Sequence, residues 1–108
     1  MPLYLVKFSL TPEAWANLIQ QPEDRREAVG RLLEAVGGKL HGFWYAFGDQ
    51  DGYVLGEAPD NTAMASALVT VAGSGAFRSL STTVLVTVEE ALDALRRAQG
   101  IAYRPPGG

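Results

Sequence analysis

The sequence predicts a single α+β domain: a four-stranded antiparallel sheet in β-α-β-β-α-β order, helices on one face, and an extra helix after the last strand. Two observations lead there. Short runs rich in β-branched and aromatic residues alternate with longer stretches whose apolar residues recur at helical spacing. In the middle, two such runs are separated only by a turn, which makes them a hairpin. This order is the split βαβ, or ferredoxin-like, arrangement.

Each element carries its own signals. Leu3 to Ser9 is the first strand. Thr11-Pro12-Glu13 opens a helix with an N-cap threonine, a proline in the first turn and a carboxylate at the positive end of the dipole. Trp15, Leu18 and Ile19 mark its buried face, and Pro22 bends or breaks it. Val29, Leu32, Leu33 and Val36 continue a helical stripe that Gly37-Gly38 terminates. Lys39 to Phe47 and Tyr53 to Ala58 form the hairpin around a Gly48–Gly52 turn. Asp60 caps the next helix, whose stripe runs through Ala63, Met64, Ala67, Leu68 and Val71. Ser81 to Val86 is the fourth strand. Thr87 and Glu90 form a capping box for a last helix expected to turn Val88, Ala91, Leu92 and Leu95 inward. The domain is expected to span 1–98, with Gln99 to Gly108, rich in proline and glycine, a disordered tail.

Composition narrows the function. The chain has 108 residues, 47% of them apolar, which suffices for one core. A net charge of −3 argues against a nucleic-acid surface, which needs clustered lysine and arginine. With no cysteine, disulfides, thiolate metal sites and cysteine nucleophiles are excluded. No apolar run reaches the ~20 residues of a membrane-spanning helix. Met1 to Leu10 does not read as a signal peptide. A cytoplasmic protein with no membrane or nucleic-acid partner and no cofactor is expected.

Strand alternation then separates two faces. Pairing Phe47 with Gly52 puts His41, Phe43, Tyr45 and Phe47 on the helix-covered face, with Tyr4, Val6 and Phe8. The open face receives Leu3, Leu5, Lys7, Leu40, Trp44, Tyr53, Leu55 and Glu57. That mixture is too apolar for open water and too polar for an ordinary core, so a second copy is expected to pack against it with a pocket between. Leu5, Lys7, Trp44, Tyr53, Leu55, Glu57 and Arg78 are the candidate ligand-binding residues. Lys7, Tyr53, Glu57 and the lone histidine, His41, are the candidate proton-transfer groups, since burial moves such pKa values toward neutrality. Each has a plainer alternative: a Lys–Glu pair at an interface, or a strand histidine bonded to backbone. Arg78 suits bidentate binding of a carboxylate or a surface ion pair. Asp49 and Asp51 read as turn-formers; two carboxylates in one loop are a weak calcium signal, and no metal site is expected.

Ala46-Phe47-Gly48-Asp49-Gln50-Asp51, continuing through Glu57-Ala58-Pro59-Asp60, resembles the signature of the GYD-domain family. Gly75-Ala76-Phe77-Arg78-Ser79 with Thr82-Thr83 resembles its later block, and Thr11-Pro12-Glu13, Pro22 to Arg26 and Gly37-Gly38-Lys39 also match. The likeness runs from about Leu3 to Ala98. Gln50 stands where the family has the tyrosine of its Gly-x-Tyr-Asp turn. The resemblance implies a dimeric α/β barrel of a small bacterial protein and brings no reaction with it. Fold-level analogy suggests a homodimer binding a small apolar or aromatic ligand between its sheets, as a cofactor-independent oxygenase or isomerase. The alternative is an assembly module whose open face only dimerises.

Overall fold

The computed structural model describes residues 1–107. The elements in order are β1 (Leu3–Leu10), α1 (Pro12–Gln20), α2 (Arg26–Ala35), β2 (Lys39–Tyr45), β3 (Gly52–Glu57), α3 (Asn61–Ala72), β4 (Phe77–Leu85) and α4 (Val88–Ala98). The strands form one antiparallel sheet in the order β2-β3-β1-β4. This is the ferredoxin-like arrangement, with the additional C-terminal helix.

Local chemistry sets the helix starts. Thr11, Asp60 and Thr87 each accept a hydrogen bond from the backbone N–H three residues on, and Thr87 with Glu90 completes the capping box. Pro22 separates α1 from α2 completely. Gly37, at φ 86°, closes α2 in the left-handed conformation that a side chain would strain.

Register gives the sheet two distinct faces. Facing the helices are three rows across β2, β3, β1 and β4: Tyr45–Gly52–Phe8–Leu80, Phe43–Val54–Val6–Thr82 and Leu40–Gly56–Tyr4–Val84. Tyr4, Val6, Phe8, Val54 and Leu33 are the buried centre of the core. The small residues serve close packing. A Cβ on Gly52 would lie 2.2 Å from the Phe8 ring, and one on Gly56 would lie 2.9 Å from Leu33. Phe8 makes edge contacts with Phe43 at 5.5 Å and Phe77 at 5.7 Å between ring centres.

Four expectations are corrected. Tyr45, not Phe47, pairs with Gly52, and Phe47 lies past the end of β2, 98% exposed. A bulge between Leu40 and Gly42 reverses the alternation at the start of β2. It turns Leu40 toward the core and frees His41 for the open side, opposite to the placement an unbroken strand predicts. β4 begins at Phe77 and not at Ser81, so Phe77-Arg78 lies in the strand and not ahead of it. Lastly, α4 buries none of its residues: the stripe expected to face inward is exposed. Only two residues link β4 to α4, and they carry the helix away from its own sheet.

Candidate functional site

On the open face the rows across the same four strands are Trp44–Tyr53–Lys7–Ser81, Gly42–Leu55–Leu5–Thr83 and Lys39–Glu57–Leu3–Leu85. The structure therefore brings Leu5, Lys7, Trp44, Tyr53, Leu55 and Glu57 onto one surface. Trp44 is 54% exposed. Its ring lies back along its own strand over Gly42, where a Cβ would meet it at 2.3 Å. His41 Nε2 stands 3.7 Å from Glu57 Oε1, longer than a hydrogen bond and within reach of an ion pair once the imidazole is protonated. Arg78 is not part of this group. It is exposed on the edge strand, at the irregularity where Leu10 pairs with Phe77 and Ser9 with Ser79.

The cavity lies on the other side of the sheet. Between the helices and the sheet is a space of about 530 Å³, open to solvent along one side. Its floor is aromatic, made by Phe8, Phe43, Tyr45 and Phe77. Leu18 of α1, Leu33 of α2 and Met64, Ala67 and Leu68 of α3 form its apolar walls. α1 covers this side only partly: Ala14, Trp15 and Leu18 pack against the core, but none of its residues is fully buried. The mouth is polar, with Gln21, Thr70 and Ser74 and the exposed pair Arg25 Nη1–Glu23 Oε1 at 2.9 Å.

Tyr45 is the most informative residue of this lining. Burial pushes its hydroxyl pKa up, while the nearby Arg25 guanidinium works against that rise. It therefore stays a neutral hydrogen-bond donor at physiological pH. Its ring also borders a shallower hollow of about 290 Å³ shared with Trp15, Pro22 and the exposed Phe47. Phe8, Phe43 and Tyr45 are on the covered face in the sequence reading; Phe77, expected ahead of the fourth strand, is added to them by the structure. Nothing in the sequence indicated that the helices above them would leave a space.

The turn residues have a structural task. Asp51 Oδ2 accepts hydrogen bonds from the Leu10 backbone N–H at 2.9 Å and from Trp15 Nε1 at 3.3 Å. Asp51 N–H donates to the Phe8 carbonyl, and Gln50 Oε1 accepts from the Ser9 hydroxyl at 3.3 Å. The turn thus ties the end of β1 and the start of α1 to the hairpin. Among the described residues no three carboxylate, imidazole or thiolate groups gather as a metal site, and no helix is long and apolar enough to cross a membrane.

Fold and register define a ferredoxin-like α+β protein with one covered and one open sheet face. The family is identified by sequence: the GYD domain profile matches residues 4–95, and the chain belongs to that family. No curated protein matches. Among solved structures, the crystal structure of FFRP-DM1 is similar with a TM-score of 0.52 at 12% identity, over 80% of this chain and 100% of that one. The crystal structure of MtbAldR is similar with a TM-score of 0.54 at 15% identity, over 80% of this chain. The match spans about half of MtbAldR, 52%. At these identities both likenesses show the fold alone.

Proposed function

We propose that this GYD-domain protein is a homodimer, joined through its open sheet faces, that holds a small apolar or aromatic molecule in the inter-layer cavity of each protomer. The observation that carries it is the aromatic-floored space of about 530 Å³, within the ~300–1,000 Å³ usual for small-molecule pockets. Its chemistry favours binding. Four rings offer edges and faces to an aromatic guest, the Tyr45 hydroxyl offers one donor, and the charged groups at the mouth already pair with each other. The proton-transfer candidates Lys7, Tyr53, Glu57 and His41 lie across the sheet from this cavity. An oxygenase or isomerase using them would need its substrate between two sheets.

Titration with an anilinonaphthalene probe, followed by probe and tryptophan fluorescence, separates these readings. Saturable binding of one probe per protomer is expected. Ala14→Phe, which places a ring in the cavity, abolishes it and leaves the dimer intact. Binding indifferent to Ala14→Phe but lost in Lys7→Met or Glu57→Gln would overturn the cavity and return the ligand to the sheet interface. No binding at all leaves the assembly module.

A further inference from the structure

The C-terminal helix has the chemistry of a packed element without anything packed on it. Val88, Ala91, Leu92 and Leu95 repeat at i, i+3, i+4 and i+7, and Glu90, Asp93 and Arg97 occupy the opposite side. Val88 is 72% exposed and Leu95 64%. Local interactions define the helix well: the capping box at its start and the Asp93–Arg97 pair at 2.8 Å along its outer side. Yet an isolated helix of 11 residues is marginal in water, because nucleation costs more than so few turns return. More than half of the large apolar side chains exposed among the described residues lie between Val84 and Tyr103. The chain's longest dimension is 58 Å, against 33 and 22 Å across.

We infer that α4 is an exchanged arm: in the homodimer, its apolar stripe packs on the open sheet face of a second copy of this chain. This rests on the open-face dimer proposed above and adds what completes it. Three arguments select a second copy as the occupant. After the two-residue link at Val86-Thr87, α4 leaves its own sheet and none of its residues is buried against it. The same chain carries both unpartnered apolar surfaces, stripe and sheet face, so a two-fold axis satisfies both at once in each protomer. Area supplies the third. Four strands averaging about 7.5 residues project roughly 450 Å² of sheet, so two faces give ~900 Å². That falls short of the ~1,200 Å² at which stable interfaces begin. A helix about 16 Å long and ~10 Å wide adds roughly 160 Å² per chain, and two arms bring the total to ~1,200 Å².

Two experiments on the full chain test the arm. In sedimentation equilibrium, the double variant Leu92→Asp with Leu95→Asp should raise the dimer dissociation constant at least tenfold. Its body should remain folded, because neither side chain contributes to the core. For the second, the absence of native cysteine makes introduced thiols unique. Mixing a Leu92→Cys protein with a Leu5→Cys protein and adding a short bis-maleimide should yield the mixed cross-linked dimer. An unchanged dissociation constant, or a mixed dimer that never cross-links, overturns the arm while leaving the sheet-face dimer in place. A wild-type chain that stays monomeric overturns both.

Discussion

The two faces of the sheet are built from the same four strands and could hardly be more different. On the helix side, a glycine stands beneath a buried ring: Phe8 over Gly52, bounded by Phe43 and Phe77. On the open side a glycine also lies beneath a ring, Gly42 under Trp44, but that ring has solvent above it. A short contact is rigid only when its neighbours are held as well. The covered face specifies the fold, and the open face leaves apolar and polar side chains side by side with no layer of this chain's helices over them.

Deleting a ring from the covered face should produce the largest effect. Phe8→Ala is expected to cost about 3–5 kcal/mol in urea unfolding, as large-to-small changes of buried aromatics do. A loss under ~1 kcal/mol would mean that the cavity side is loosely packed throughout. Next comes the open face. Trp44→Ala should weaken dimerisation by about 2 kcal/mol or more if it anchors the interface, with little change in monomer stability. An unchanged dimer constant in analytical ultracentrifugation would remove Trp44 from that interface. The clamp between the hairpin and β1 should follow. Asp51→Ala is expected to cost ~1.5–3 kcal/mol, since it leaves the Leu10 N–H and Trp15 Nε1–H without their charged acceptor.

The two glycines give the sharpest version of the comparison. Gly52→Ala should destabilise by about 1–3 kcal/mol, because its Cβ would meet not only the Phe8 ring but also the Trp44 backbone carbonyl oxygen, 2.7 Å away. Gly42→Ala should instead shift the Trp44 emission and cost distinctly less, because that ring can swing outward. Equal costs would show that the open ring is as tightly held as the buried one.

The smallest expected effect concerns α4 and acid. The Thr87 backbone N–H, and then its hydroxyl, hold the Glu90 carboxyl below its ordinary value of 4.5. A depressed folded-state pKa stabilises above the unfolded value and is lost as pH falls through the folded one. Helical ellipticity should therefore decline slightly below about pH 4.5 in the wild type. In Glu90→Gln, which keeps the capping geometry without a titrating group, that increment should vanish. The same decline in both proteins would assign the change to other carboxylates.

Much of the fold was legible because it rests on local chemistry. Thr11, Asp60, Thr87 and Gly37 cap helices through bonds to residues a few positions away, so order, number and most boundaries of the elements follow from the sequence. Alternation likewise placed Lys7, Trp44, Tyr53, Leu55 and Glu57 on one surface. It failed at His41 and Leu40 because one bulge residue reverses every side chain beyond it, and alternation has no means of counting an extra residue. Gln50 shows the same division. It departs from the family's tyrosine, yet the turn still reaches Ser9 through its amide and β1 through Asp51.

By itself, then, the sequence determined the ferredoxin-like order of elements, their caps, and which residues are apolar enough to be covered. Only the tertiary structure decided that α1 covers its side of the core incompletely beside an aromatic-floored cavity, and that α4 turns its apolar stripe outward. The physical reason is range. Caps and periodicities act within a few residues, whereas a cavity or an unpaired helix face depends on the distance between elements that the chain joins only through its turns.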